Sequence, residues 1–175
     1  MTQYKILLTS FRPWLGHHTS NASDDLLWHL ERASLRFADF HFLRRLPVET
    51  AIASKKTIAA IERHCPDVVL CCGMAEKRDR LTVESQAFYR GQFYQTRFNL
   101  EQLTATLNFT DISHDAGKFV CEGLYFHLLQ HLQRRQSQTL GLFLHVPVLT
   151  PDNETPIVED VITLLRSLTQ SHLCR

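Results

Sequence analysis

A cysteine, a histidine and a glutamate lie at positions where they could form a catalytic group. Cys121 follows the small-residue turn of "DAGKFVCEGLYFHLL" and starts an amphipathic run. A helix N-terminus presents unpaired N–H groups and the positive end of its dipole, which lowers a thiol pKa and favours the nucleophilic thiolate. His145 lies late in the apolar run "GLFLHVPV", and Glu84 lies in the irregular middle of the chain. A thiol, an imidazole and a carboxylate from separate elements are the parts of a cysteine-hydrolase triad.

Each of these residues also has a plainer interpretation. The chain has 10 histidines and 18 acidic residues, so a Cys/His/Glu set alone is weak support for catalysis. Cys121 could be a packed helix thiol, because free cysteines are often core residues. His145 could be a hydrogen-bonded core histidine, and Glu84 a solvated strand residue.

The other cysteine and histidine groups do not have the spacing of a metal site. Cys71 and Cys72 are adjacent, which predicts that they face opposite sides of a buried strand. The pairs His17/His18 and His127/His131 have no evident third ligand, and a metal site needs at least three. We therefore predict packed or solvated histidines, and neither a metal nor another cofactor.

Apolar strands alternate with amphipathic helices along the chain, and this order has to position the three residues. Continuously apolar strands between helices are typical of a parallel sheet covered on both faces. The pattern predicts an α/β fold, a three-layer α/β/α sandwich with a mostly parallel central sheet, in one domain over residues 1–175. In such sheets the sites form at the carboxyl ends of the strands. The predicted elements are strands at Tyr4–Phe11, Phe37–Val48, Asp67–Met74 and Thr139–Val148, helices at Ser20–Ala33, Glu49–His64 and Glu154–Leu173, a helix from Cys121, and strands around a turn at Arg90-Gly91.

Local signals refine three of the helices. Ser20 or Ser23 is the expected cap of the first helix, and Ile52, Ile58 and Ile61 are expected on the apolar side of the second. Thr155 or Glu154 is expected near the cap of the last one.

Composition excludes several classes of function. The formal net charge is +1, which gives no field for nucleic acid or anionic lipid. No apolar run reaches the length of a membrane span, and the N-terminal segment has no cleavage-site pattern, so we expect a cytoplasmic protein. The chain has 5 cysteines, an odd number, for which we expect free thiols.

Five segments, in order, resemble the motifs of the pyroglutamyl peptidase I family of cysteine peptidases. They are Ser10–Gly16 for its Gly-Phe-x-Pro-Phe-Gly turn, Gly73–Arg78 for Gly-x-Ala-x-x-Arg, Thr82–Glu84 for Thr-x-Glu, Ala116–Cys121 for Ala-Gly-x-Phe-Val-Cys, and Phe143–Pro147 for Phe-x-His-Val-Pro. The resemblance extends over nearly the whole chain and is weakest from about Ser85 to Asp115.

The resemblance implies removal of an N-terminal pyroglutamyl residue from a peptide substrate, without a cofactor. Cys121 would be the nucleophile, His145 the base and then the acid, and Glu84 the group that orients His145. The residues implied in binding the lactam ring are Phe11, Trp14, Met74, Phe119 and Val120.

Several positions depart from the family. Ser85–Phe98 matches none of the family's longer loop, and the family's oxyanion arginine has no aligned counterpart; Arg90 and Arg97 are the candidate replacements. Glu122 replaces an Asn after the nucleophile, and a carboxylate beside a thiol raises the thiol pKa. A monomer or a small homo-oligomer is expected. Two alternatives stay open: a non-catalytic or low-activity homologue that binds a peptide terminus, and an amidase that cleaves another small acyl group.

Overall fold

The structure is a computed structural model and describes residues 3–170. Strands and helices alternate over most of this range, because short apolar runs are separated by capped amphipathic segments. The elements in chain order are β1 (Lys5–Phe11), α1 (Ala22–Arg32), β2 (Asp39–Leu46), α2 (Thr50–His64), β3 (Val68–Met74), β4 (Leu81–Glu84), β5 (Gln86–Tyr89), β6 (Gln92–Gln95), α3 (Leu100–Thr104), β7 (Thr110–Ser113), α4 (Val120–Arg134), β8 (Leu140–Val146) and α5 (Glu154–Leu168).

The central sheet has six strands in the order β2-β1-β3-β8-β4-β7. Neighbouring strands are parallel except β4 and β8, which are antiparallel. Each face of the sheet carries its own apolar core: α1, α3 and α5 cover one face, and α2 and α4 cover the other. The predicted α/β fold with a mostly parallel sheet flanked by helices is therefore confirmed.

The adjacent cysteines of β3 show how the sheet separates the two cores. Cys71 packs into the α2/α4 core and Cys72 into the opposite one. Both are fully buried, as predicted for adjacent residues of a covered strand. Within residues 3–170, no helix combines the length and apolar character that a bilayer crossing needs.

Several sequence-based expectations about helices are wrong in detail. The cap of α1 is Asn21, whose side chain accepts from Ser23 N, because the hydroxyl of Ser23 already lies inside the helix and donates to Asn21. Ile52 is 48% exposed, since the buried side of α2 passes through Ala53 and Ile61. In α5, by contrast, Glu154 and Thr155 lie next to the cap, as expected, and the cap itself is Asn153.

Other boundaries differ by a few residues. The strand expected at Phe37–Val48 is shorter, α5 ends at Leu168, and the expected continuation beyond residue 170 lies outside the described residues. The turn at Arg90-Gly91 is confirmed: both residues have positive φ and join β5 to β6 as a hairpin. Neither α3 nor β7 was expected as a separate element.

Candidate active site

Cys121 lies in the first turn of α4, as its position after the turn predicted. The N-cap is Phe119, which has no side-chain oxygen for the backbone N–H groups that follow it. The first helical hydrogen bond runs from Gly123 N to Phe119 O, at 3.2 Å. The N–H groups before Gly123 are therefore left for another acceptor, which is the arrangement that binds anions at helix starts.

The thiol lies directly against β3, at a glycine. A Cβ built on Gly73 would lie 2.6 Å from Cys121 Sγ and 2.9 Å from Phe143 Cζ, closer than real Cβ contacts. Gly73 pairs with His145 in the β3/β8 register. The missing side chain thus lets α4 bring the thiol close to the strand end that carries His145. The sequence motif included Gly73, but it gave no reason for a glycine at this position; the close approach of the thiol supplies that reason.

His145 and Glu84 form a buried pair across two antiparallel strands. His145 Nδ1 lies 2.7 Å from Glu84 Oε1. In the register, Glu84 lies opposite Phe143 and Thr82 opposite His145, so Glu84 reaches His145 diagonally. Since β4 runs against β8, Glu84 lies two residue pairs further into the sheet than His145 and is 0% exposed. The carboxylate therefore faces an imidazole and not water.

Arg78 holds the same carboxylate oxygen from the other side. Its Nη1 donates to Glu84 Oε1 at 2.6 Å, and its Nη2 donates to the carbonyl of Asp115 at 2.8 Å. Nη1 also contacts Thr82 Oγ1. Burial alone would raise the pKa of Glu84, but hydrogen bonds and charge from His145, with Ser113 and Arg78, outweigh it and hold the pKa below its ordinary value. Glu84 is therefore an anion beside His145.

Tyr125 ties α4 to the strand that carries the carboxylate. This fully buried side chain lies one turn after Cys121, and its hydroxyl donates to the backbone carbonyl of Glu84 at 2.8 Å. The helix of the thiol and the strand of the carboxylate are thus fixed to each other. Sequence reasoning missed this contact, because an aromatic on an amphipathic helix is normally packing alone.

The predicted acidification of Cys121 by the helix start is wrong for the ligand-free protein. Burial raises the pKa of the Cys121 thiol to about 12, and the neighbouring Cys71 thiol and the Glu84 charge add to this, against smaller opposing effects of Arg78 and the thiol's own backbone N–H. The thiol therefore rests in its neutral form. No hydrogen bond joins it to His145 in the described range, although both residues line one cavity.

Glu122 does not face the thiol as its sequence position suggested. Its carboxylate accepts from Phe88 N in β5 at 3.1 Å, and burial raises its pKa. The segment that replaces the family's longer loop is thus the β5–β6 hairpin, which packs on α4 through Tyr89 and Tyr94 against Phe126.

The cavity that contains Cys121 and His145 has a volume of about 740 Å³. All five residues expected to bind the lactam ring line it: Phe11, Trp14, Met74, Phe119 and Val120. Trp14 and Phe119 are 50% and 74% exposed, and their ring centroids lie 6.2 Å apart. Phe11 is 2% exposed and forms part of the floor. Tyr89 of the hairpin adds a wall that was not expected.

Neither proposed substitute for the oxyanion arginine lies in this cavity. Arg97 donates to the carbonyls of Ser137 and Thr139, and Arg90 stacks on Tyr89 at the hairpin turn. Arg97 lines a second cavity of about 850 Å³, beneath β6, which contains none of the three candidate catalytic residues. The larger of the two cavities is therefore not the one that contains the candidate catalytic residues.

Comparison with known proteins shows similarity to the pyroglutamyl peptidase family. The model of the pyroglutamyl peptidase family matches residues 93–161, a stretch that includes Cys121 and His145. The pyrrolidone-carboxylate peptidase of Bacillus subtilis is 26% identical, over 94% of this chain and 88% of the relative. That of Vibrio vulnificus is 28% identical, over 83% of this chain and 79% of the relative.

Two solved structures share the fold. Pyroglutamyl peptidase I from Bacillus amyloliquefaciens superposes with a TM-score of 0.83 at 22% identity, covering 96% of this chain and 95% of that one. A mutant pyrrolidone carboxyl peptidase from Pyrococcus furiosus gives 0.83 at 20% identity, covering 97% and 100%. The resemblance of this chain to the pyroglutamyl peptidase family is therefore confirmed, both in sequence over most of its length and in fold.

Proposed function

We propose that this protein is a cysteine peptidase that removes an N-terminal pyroglutamyl residue from peptides, on a single domain. The observation that carries the proposal is the Glu84–His145 hydrogen bond of 2.7 Å, buried beside the cavity into which α4 places Cys121. The names of the relatives and the family model supply the substrate class.

In the proposed reaction, the carboxylate of Glu84 accepts from His145 Nδ1–H and leaves Nε2 as the proton acceptor. His145 takes the proton from the Cys121 thiol as sulfur attacks the pyroglutamyl carbonyl carbon. The oxyanion accepts hydrogen bonds from the N–H groups that begin α4.

Collapse of this intermediate breaks the amide bond, and the leaving amine takes the proton from His145. A water molecule then gives a proton to His145 and attacks the thioester. Pyroglutamic acid leaves, and Cys121 recovers its proton. A neutral resting thiol suits this route, since the proton moves only when the substrate is in place.

The test is hydrolysis of a pyroglutamyl fluorogenic amide under reducing conditions. Wild type should turn over, and Cys121→Ala should not. Cys65→Ala is the matched control, because Cys65 is an exposed thiol at the end of α2, and it should keep full activity. Turnover that survives in Cys121→Ala would overturn the assignment of the nucleophile.

A second candidate function is binding without turnover. It is favoured by the absence of a hydrogen bond between the thiol and His145 among the described residues, although both line the cavity. Calorimetry with a pyroglutamyl peptide separates the two: heat of binding without product identifies a binder. A panel of other N-terminal acyl groups tests the remaining alternative, an amidase of different specificity.

A further inference from the structure

Two loops at the rim of the candidate active site bring three metal-ligating side chains together. His17 and His18 follow β1, and Glu76 follows β3. Because β1 and β3 are adjacent and parallel, the loops after them emerge at the same edge of the sheet. The chain positions are almost 60 residues apart, and the sequence offered no reason to pair them.

The donor atoms of these residues converge. His17 Nε2 lies 3.6 Å from Glu76 Oε1, and His18 Nε2 contacts the same oxygen. One ligand atom of each residue lies within 4.8 Å of the other two. Around a tetrahedral zinc with ligands at about 2.0–2.2 Å, neighbouring donors lie about 3.3–3.6 Å apart. The set therefore needs only side-chain adjustment to enclose an ion.

The burial of the three residues matches an anchored but open site. The His18 side chain is 6% exposed, so its ring is held in place, whereas His17 and Glu76 are 70% and 44% exposed and can adjust. His18 packs against the rings of Trp14 and His17. Its Nδ1 is buried and has no hydrogen-bond partner among the described residues, so the ring is oriented by packing and by the contact of Nε2 with Glu76.

We propose that His17, His18 and Glu76 bind a divalent transition-metal ion of the zinc type at the rim of the Cys121 cavity. Two imidazoles and a carboxylate are a ligand set that zinc accepts, with a fourth position open to water. Ligand histidines normally have their second nitrogen hydrogen-bonded, and this one does not. We therefore expect a weaker affinity than at a site whose ligand histidines are all hydrogen-bonded, as for an exchangeable ion.

Other histidines of the chain provide the contrast. Within residues 3–170, this is the single group of three or more such side chains with converging ligand atoms. His29 Nε2 lies 3.4 Å from Glu154 Oε2 without a third ligand, which makes it a matched control.

The test is titration of the full chain, without a polyhistidine tag, with Zn²⁺ by calorimetry and with Co²⁺ by visible absorption. Cys121→Ser serves as the background, so that the catalytic thiol cannot supply a ligand. We expect one ion per chain and tetrahedral cobalt bands without sulfur-to-cobalt charge transfer. His17→Ala and Glu76→Gln should each weaken binding by about ten-fold or more, and His29→Ala should leave it unchanged.

Several outcomes would overturn the proposal. The first is an unchanged metal affinity in both His17→Ala and Glu76→Gln. The second is a loss of metal affinity in His29→Ala as large as in those two variants. The third is a sulfur charge-transfer band in the Cys121→Ser background. The two principal variants alter exposed side chains, so a folding defect is not expected to obscure the result. Metal binding is measured without peptide hydrolysis, so its failure would leave the proposed peptidase function intact.

Discussion

Arg78 lines the same cavity as Cys121 and shows how much of the candidate site depends on a residue that holds another side chain in place. It donates to the same Glu84 oxygen that faces His145, and it anchors itself on the Asp115 carbonyl. A guanidinium can make these contacts at once because its donors form a rigid fork. Arg78 is therefore a positioning residue for the imidazole, acting through the carboxylate.

Arg78→Gln should reduce kcat by about ten- to a hundred-fold, because a small displacement of a catalytic group costs rates of this order. Since Arg78 helps to lower the pKa of Glu84, its removal should also raise that pKa and move the acid limb of the pH–rate profile to higher pH. The measurement is kcat against pH. Arg80→Gln, which loses the exposed ion pair to Asp111, is the control and should change neither kcat nor the acid limb of the pH–rate profile. A lower rate with an unmoved acid limb would contradict this role.

The thiol itself gives a second prediction at this scale. Because the pKa of Cys121 is raised to about 12, its alkylation by iodoacetamide should still accelerate above the ordinary thiol pKa of 9.0, without a plateau near neutral pH. Peptide-resolved mass spectrometry separates it from exposed Cys65. A plateau near neutral pH would mean that the free enzyme already holds a thiolate.

The positions of the candidate catalytic residues in the fold were predictable from the sequence, and their environments were not. The motif around Cys121 placed the thiol at the start of a helix, and the structure agrees. The pKa of that thiol depends on contacts with β3 and on the Glu84 charge, which are distant in sequence. The sequence also suggested that the Glu122 carboxylate lies beside the thiol. In a helix, however, successive side chains differ in direction by about 100°, so the Glu122 side chain points to the β5–β6 hairpin.

At the scale of elements, the site depends on how closely α4 approaches β3. Gly73 is the contact point, where a Cβ would overlap both the thiol sulfur and the Phe143 ring. Neither neighbour can easily retreat, since Phe143 is fully buried and Tyr125 fixes the helix to β4.

Gly73→Ala should therefore displace the thiol, with activity falling by at least about ten-fold and unfolding free energy by about 1–3 kcal/mol, as for overpacked cores. Gly16→Ala is the matched control, because nothing lies within 4 Å of the corresponding Cβ. Urea unfolding and the fluorogenic assay measure the two effects. Full activity in Gly73→Ala would show that α4 has freedom to move away.

The long apolar elements were predicted well, and the short middle ones poorly. β1, β3 and β8 are buried runs with clear ends, so their bounds differ from expectation by one or two residues. β4 and β7 have four residues each, and such short segments owe their conformation to pairing partners. The antiparallel direction of β4, which buries Glu84, is a property of the sheet that no local pattern encodes.

At the scale of the whole molecule, a buried ionic network joins three elements through residues that do not line the cavity. Asp24 of α1 accepts from Ser10 of β1 at 2.7 Å and from Arg44 of β2 at 2.9 Å. Burial alone would raise the pKa of Asp24, but hydrogen bonds from Arg44 and Ser10 and the charges of Arg44 and Arg45 lower it. A carboxyl with a lowered pKa stabilises the fold above its ordinary pKa of 3.8, and this contribution disappears as pH falls through the lowered value.

Asp24→Asn should lower the free energy of unfolding by about 3 kcal/mol at neutral pH, because it leaves the partly buried Arg44 with one carboxylate fewer. The difference from wild type should shrink as pH falls below 3.8. Chemical denaturation across this range is the measurement, and Asp25→Asn is the control, since the Asp25 carboxylate accepts from the exposed Ser20 hydroxyl at 2.6 Å and from no other side chain in residues 3–170. A difference that stays constant with pH would assign the effect to packing and not to charge.

The place of β8 in the sheet has a consequence for how the protein is made. β8 lies between β3 and β4, yet among the strands of residues 3–170 it leaves the ribosome last, more than 50 residues after β4. A nascent chain therefore holds two unpaired strand edges until β8 emerges, and such edges invite aggregation. Since β8 also carries His145, recovery of activity on refolding should coincide with closure of the whole sheet, so that a single assay reports both.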